Sequence, residues 1–546
     1  MDHLEVPVLI VGGGLTGLSA ALFLRQQGVD CLLVERHRDT TFLTRASGIN
    51  SRTMELLRNA GLEETVVGRS LQLIEGKRWR ELGQPTDQIP WVVLRARNLA
   101  DIKQAMIVEE PSLDMSDVSP TRSQWCGQDK LEPILRDEAV RRGADIRFHT
   151  QLESFTQHAD HVEALITNRT TGEQTTVRAA YVIGADGVRS RIRQALDITS
   201  TGHGSLGKAM SVLFKADFDP VLQGRRFVIS YIANPAAPGV LQTFDEDRWI
   251  FGFFCDAHRA GGDDFGPERC EQIVRTALDI PDVPLDIQLT QPWEMSHNVA
   301  DAYRSGRVFL AGDAAHVHPP AGAFGANGGI QDGHNLAWKL AAVLKGWAGE
   351  ELLDTYQQER HAVGAEIADQ AWMRHTFRLN DDGELGAKLI DTKVVAVGHR
   401  YSSDAVAGPG YPTAIPRELT LKGEPGYRVP HLWFDKEGER VSSVDLAVDG
   451  FVLLTRQDGA AWATAAERAA ATAGIPLTAH VLGTTLTDPE DSLTEATGLG
   501  SGGALLIRPD GFVAWRSDEA ADDPQAALTE VLDRILARPG RPATAQ

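Results

Sequence analysis

The sequence predicts a mixed α/β architecture, and three observations carry that reading. Near the start, Val8-Leu9-Ile10-Val11 runs into Gly12-Gly13-Gly14-Leu15-Thr16-Gly17 and then into a helical stretch ending at Gln27. Near residue 310 the pattern returns, as Arg307 to Ala311 meets Gly312-Asp313, a glycine-rich loop and a long helix. Between them, residues 205–293 show partial apolar alternation, the mark of a mainly antiparallel sheet. At 546 residues the chain exceeds one hydrophobic core, and about three domains are expected.

The first stretch reads as a buried parallel strand, a tight turn and a helix packed back onto the sheet. Gly12 permits the turn, Gly14 removes a side chain where a pyrophosphate touches backbone, and Gly17 lets helix and strand approach. Phosphate would sit at the helix N-terminus, where free N–H groups and the dipole favour negative charge. Cys31 to Val34 form the next strand, and Glu35 at its end, followed by Arg36, is placed to accept hydrogen bonds from a ribose 2′-OH. The glycine motif alone is weak evidence in a chain with 52 glycines. Strand, helix, second strand and acid in one register make a dinucleotide site, without deciding between NAD and FAD.

A formal charge of −21 argues against nucleic acid or an anionic membrane surface as partner. The apolar segment from Val6 lacks the basic lead of a secretion signal, since Asp2 and Glu5 precede it. A soluble cytoplasmic protein, monomer or homodimer, is the expectation. Four scattered cysteines fit neither a disulfide framework nor a zinc site, and no metal is expected; His316 and His318 read as packed or hydrogen-bonded loop histidines.

After Glu35, a loop carries Arg45 into a helix that Ser51 could cap, with Arg52 in its first turn; each arginine suits either phosphate contact or ordinary pairing. Residues 71–119 show poor periodicity and belong to another layer. Gln128 opens a helix closed by Gly143, and a β-meander is expected from Ile146 to Val177. Tyr181 to Ala185 is an apolar strand leading to Asp186-Gly187 and a basic helix start, which puts Asp186 at a strand's C-terminal end, where open α/β sheets place ligands. The helix after Gly328 shows a core-facing stripe of Leu336, Leu340, Val343, Leu344 and Trp347.

Over about the first 375 residues these three stretches resemble the flavoprotein monooxygenases of the para-hydroxybenzoate hydroxylase type, with G-x-G-x-x-G at Gly12–Gly17, Asp-Gly at Asp186-Gly187 and Gly-Asp at Gly312-Asp313. The resemblance implies a Rossmann-like FAD-binding domain over residues 1–200 and 294–400, with 71–119 partly in the substrate layer. It implies an antiparallel substrate sheet over 201–293. Gly12, Gly14, Leu15, Thr16, Gly17, Glu35 and Arg36 would hold the ADP part of FAD, Asp313 the ribityl chain, and Arg45 and Gln128 would also contact FAD. Asp186 and Gly187 map to a stretch associated with FAD and NADPH, and Pro320, Gly325, Ala326 and Asn327 to the loop along the flavin ring. Ala323 and Gly329 depart from the family's usual pattern in that loop. The activity implied is hydroxylation by O2 through a C4a-hydroperoxyflavin in a dry site.

A long extra segment resembles the phenol hydroxylase and aromatic polyketide hydroxylase branch, which implies a polycyclic phenol or quinone substrate and a thioredoxin-like domain over 415–546. Its strands are read at Phe451–Leu454, Thr478–Leu482, Ala504–Arg508 and Gly511–Trp515, with a helix over Ala460–Ala473. No cysteine follows Cys270, so dithiol chemistry there is excluded. Tyr231 and Arg374 are the candidates for deprotonating the phenol and stabilising a phenolate, each with a packing or surface-pairing role as its alternative. Baeyer-Villiger insertion or ring rearrangement, and a flavin-binding sensor without turnover, are the competing functions.

Overall fold

The computed structural model describes residues 2–42, 46–82, 88–222, 224–244, 247–256, 265–380, 382–488 and 491–538. Its first sheet has a parallel core in the spatial order Val308–Leu310, Gln174–Gly184, Asp2–Val11, Cys31–Glu35, Asp145–Phe148. Val8 to Ile10 and Leu32 to Val34 are buried, as continuous apolar runs covered on both faces should be. Thr150–Gln157 and Val162–Asn168 extend the sheet antiparallel. The meander therefore starts at Thr150, because Asp145–Phe148 pairs in parallel with Cys31–Glu35.

Helix Leu15–Gln26 lies against helix Phe324–Leu344. The second helix begins at Phe324, four residues before the glycines that the sequence suggested would end a loop. Glycines of this helix are contact surface: a Cβ at Gly329 would overlap the Thr16 hydroxyl, and one at Gly333 would lie 3.0 Å from Ala20 N. Helix Ser51–Asn59 is capped by Asn50, whose side chain accepts from Thr53 N at 2.9 Å; Ser51 is its first residue and not the cap.

The second sheet runs in the order His316–Val317, Asp286–Ala300, Ser200–Lys215, Arg248–Phe254, Gly239–Thr243, Ile229–Ile232, Val93–Ala96, Met106–Glu109. Every pair is antiparallel except Ile229–Ile232 with Val93–Ala96. Phe214, Phe218, Phe227, Trp249 and Phe251 pack on one face with helix Pro267–Leu278. The last two strands, Val93–Ala96 and the edge strand Met106–Glu109, give structure to a stretch that has no clear period in sequence.

The C-terminal sheet has Leu477–Val481 parallel to Phe451–Thr455, then Ala504–Ile507 and Val513–Ser517 antiparallel, with helices Ala460–Ala473 and Pro524–Ile535 packed on it. Strands and first helix follow the order read from the sequence. Its core is continuous with Trp338, Ala342 and Trp347 at the end of helix Phe324–Leu344. Among the described residues, no helix is long and apolar enough to cross a membrane.

Candidate active site

The glycine turn is built by close approach. Gly12 has φ +115°, and a Cβ there would overlap the Ala185 carbonyl; one at Gly17 would overlap the Gly12 carbonyl. Gly14 differs: the nearest atom to a Cβ would be Glu132 Oε1 at 3.7 Å, so its face is open. The first helical bond is Leu18 N to Gly14 O at 3.0 Å, so the Leu15, Thr16 and Gly17 N–H groups at this helix start have no acceptor within the helix. Glu35 Oε2 accepts Gly13 N at 2.6 Å and Oε1 accepts His37 N at 2.8 Å, which seats the acid at the turn. Arg36 is exposed beside it.

Thr16 joins this turn to the second motif, since a Cβ at Gly312, φ +60°, would overlap its hydroxyl. Gly312 N donates to Asp332 Oδ2 at 3.0 Å; His316 Nε2 lies 2.8 Å from the same oxygen, and Arg360 Nε donates to Oδ1 at 2.7 Å. Asp313 is exposed on the short turn this network holds, as is Pro320 further along the loop. Sequence reasoning missed Asp332 and Arg360; the signal was an acid set between Gly329 and Gly333, just ahead of the helix's apolar stripe.

At the start of helix Phe324–Leu344, Asn327 spends its side chain on backbone. Oδ1 accepts Asn50 N at 3.0 Å, while Nδ2 donates to Gly48 O at 2.9 Å and Ala323 O at 2.6 Å. Any cofactor contact at this turn is thus left to the N–H groups of Phe324, Gly325 and Ala326. Ala323 sits at φ +56°, a left-handed conformation that glycine adopts more easily and the physical reason this departure matters. Gly325 faces His318, whose Cε1 would be 3.6 Å from a Cβ there.

Asp186 Oδ2 caps helix Arg191–Ala195 by accepting Arg191 N at 2.8 Å and Ile192 N at 3.3 Å; Oδ1 is buried and unpartnered. Gly187 has φ +81° and open space around it. Gln128 Nε2 donates to Glu132 Oε1 at 2.7 Å, and Thr41 N to Oε2 at 2.8 Å, beside Gly14. Arg45 lies outside the described residues. Arg52 is buried, paired with Glu55 at 2.9 Å and the Asp510 carbonyl at 2.5 Å, and so belongs to the interior rather than to a phosphate.

Tyr231 and Arg374 meet in one network with Glu109 and Arg378, the last two missed in sequence. Arg374 Nη1 lies 3.2 Å from Glu109 Oε1, and Nη2 donates to Ile390 O; Arg378 Nε donates to Glu109 Oε2 at 3.0 Å and its Nη1 to the Tyr231 hydroxyl at 3.5 Å. Burial disfavours the Glu109 charge, but Arg378 and Arg374 outweigh it and hold the carboxyl below its usual range. Arg374 also stands 5.7 Å from the Phe324 ring centre, which ties this network to the start of helix Phe324–Leu344, and its Nε is buried without a partner.

Several groups here titrate abnormally. Burial pushes His318 and His375 down to about 4 and His334 to about 3. Asp332 is buried too, yet Arg360 and His316 bring it down to about 2. For each histidine the unfolded chain binds more protons once pH falls below the ordinary histidine value, so stability is lost downward from about pH 6.5. The Asp332 contribution is present above the ordinary carboxylate value and disappears as pH falls toward 2. Urea midpoints should therefore decline already between pH 6.5 and 4, and His334→Phe should flatten part of that decline.

Two helix starts, an acid at the end of the second strand and an adjoining antiparallel sheet are the arrangement of a flavoprotein oxygenase. The chain belongs to the FAD-dependent aromatic-ring hydroxylases: residues 5–371 match the FAD binding domain family and residues 422–539 the aromatic-ring hydroxylase C-terminal family. It is 76% identical to tetracenomycin B2 monooxygenase-dioxygenase of Streptomyces olivaceus, over 98% of this chain and 100% of that protein. It is 62% identical to tetracenomycin A2 monooxygenase-dioxygenase of Streptomyces glaucescens, over 98% of each. Aklavinone-11 hydroxylase, solved with FAD and aklavinone, superposes with a TM-score of 0.89 at 38% identity, over 98% of this chain and 100% of that one.

Proposed function

We propose that the chain uses FAD and NADPH to hydroxylate a tetracyclic aromatic polyketide of the tetracenomycin type. FAD-dependent oxygenation of polyketide aromatics is the activity its relatives share. The observation that carries the reading is the open face at Gly14, at a helix start whose first three N–H groups have no helical acceptor, with Gly312 locked against Thr16. These fit FAD: Leu15, Thr16 and Gly17 would receive the pyrophosphate, Glu35 the adenosine ribose and Asp313 the ribityl chain, with Arg36, Arg45, Gln128, Asp186 and Gly187 around them. Pro320, Gly325 and Ala326 would line the flavin ring, with Asn327 bracing their turn, and the helix dipole favours the ring's negative charge on reduction. The flavin supplies electron transfer from the nicotinamide and activation of O2.

Arg374 and Tyr231 would act on the substrate's phenol, as a fixed positive charge for the phenolate and as an acid–base hydroxyl poised by Arg378. A charge-assisted hydrogen bond is worth about 1.5–3 kcal/mol, so Arg374→Met should lower kcat/KM by roughly 10- to 150-fold, with Arg374→Lys intermediate. NADPH rests on the family resemblance. Stopped-flow reduction of the FAD-loaded protein by NADPH and by NADH, each with and without tetracenomycin B2, tests the proposal. Substrate should stimulate reduction by NADPH, and no stimulation by any tetracycle would overturn it.

A further inference from the structure

The C-terminal domain reaches the oxidation site through one turn. Arg508, Asp510 and Phe512 belong to the connection of its last hairpin and are buried. Arg508 grips Glu359 of helix Asp354–Asn380, Nη1 to Oε1 at 2.5 Å and Nη2 to Oε2 at 2.9 Å. The Asp510 carboxylate receives Trp338 Nε1 at 3.2 Å and Asn335 Nδ2 at 3.3 Å, both from helix Phe324–Leu344. Phe512 stacks on Tyr401 at 4.2 Å and lies 5.5 Å from the Arg52 guanidinium.

Arg52 turns this docking toward the flavin. Its Nη2 donates to the Asp510 carbonyl, its Nη1 to Glu55, and only two residues earlier Asn50 N donates to Asn327 Oδ1. Asn327 in turn fastens Gly48 and Ala323. From the C-terminal turn to the first turn of the flavin-loop helix, every step is thus a hydrogen bond or a covalent link. A domain stripped of cysteine chemistry gains a role from this path that needs none.

We propose that the C-terminal domain is a working part of the flavin site: its Arg508–Phe512 turn fixes Arg52, and Arg52, through the Asn50–Asn327 pair, sets the first turn of helix Phe324–Leu344. The proposal rests on the reading that residues 320–327 lie along the flavin. Arg52 is a positioning residue, and Glu55 keeps Arg428 at 3.4 Å when Arg52 is replaced.

The test uses the full chain loaded with FAD and four variants, Arg52→Met, Arg52→Lys, Phe512→Leu and Asn327→Ala. Bound-flavin midpoint potential, visible absorption and FAD affinity are read, none of which needs turnover. Misplacing a preorganised site from a distance is costly, so Arg52→Met and Phe512→Leu should weaken FAD binding about tenfold and shift potential and spectrum in the direction Asn327→Ala shifts them. Arg52→Lys should fall between. A shifted Asn327→Ala beside unshifted Arg52→Met and Phe512→Leu overturns the proposal and leaves the loop reading standing. Four variants with wild-type flavin properties overturn both. If Arg52→Met does not fold, Phe512→Leu probes the same contact from the other domain.

Discussion

Arg508→Met is expected to destabilise the protein by about 3–5 kcal/mol, the usual result of removing one partner from a buried ion pair. Arg508 is fully buried, and its guanidinium is shared between Glu359 and Asp510. Glu359 would keep Lys339 at 2.7 Å, Asn335 at 2.7 Å and the Ser403 hydroxyl at 2.6 Å. Asp510 would keep only neutral donors, the Trp338 and Asn335 side chains and the Phe512 N–H, for its carboxylate. The cost therefore falls mainly on Asp510, at the point where the C-terminal domain enters. Urea unfolding followed by Trp fluorescence measures it, and Arg508→Lys should recover part of the loss. A change below about 1 kcal/mol, the scale of an exposed ion pair, would mean the cluster is hydrated in solution.

Gly17→Ala is expected to weaken FAD binding on the order of 100-fold. The added methyl would overlap the Gly12 carbonyl, which is backbone and cannot step aside without moving the strand end that also contacts Ala185. Overpacking of this kind costs about 1–3 kcal/mol, and about 2.7 kcal/mol felt in binding is a hundredfold in Kd. Gly14→Ala makes the control for location: its methyl meets no protein atom closer than 3.7 Å, so folding should be untouched while FAD affinity falls. Calorimetric titration of apoprotein with FAD separates the two. Unchanged FAD affinity in Gly14→Ala would remove the pyrophosphate from this turn.

The glycine turns were legible because one residue type at one spacing governs each: Gly12, Gly17 and Gly312 sit where a side chain cannot. The helix start at Phe324 was misplaced because Gly325, Gly328 and Gly329 look like loop, whereas they let this helix approach His318, His316 and Thr16 respectively. Strands Val93–Ala96 and Met106–Glu109 escaped notice because each is only four residues long, too short to show a period, and the second is a half-exposed edge. Arg52, Lys339, Glu359, Arg508 and Asp510 were illegible for a different reason. Charge in sequence reads as surface, and only the fold brings residues more than a hundred positions apart into one buried cluster. Arg52 shows the point, since its sequence setting, close after the glycine turn read as a pyrophosphate site, suited a phosphate, yet its partners are Glu55 and a carbonyl of the C-terminal domain.

The most direct measurement is the mass of the product formed from tetracenomycin B2 by the FAD-loaded protein with NADPH under 18O2. The account predicts NADPH oxidation that rises sharply with substrate and a product heavier by 18O on an aromatic or quinone carbon of the intact ring system. Both atoms of one O2 in the product would give the oxygenation a dioxygenase component, as the relatives' names carry. NADPH consumed with no labelled oxygen in any product would contradict the central claim.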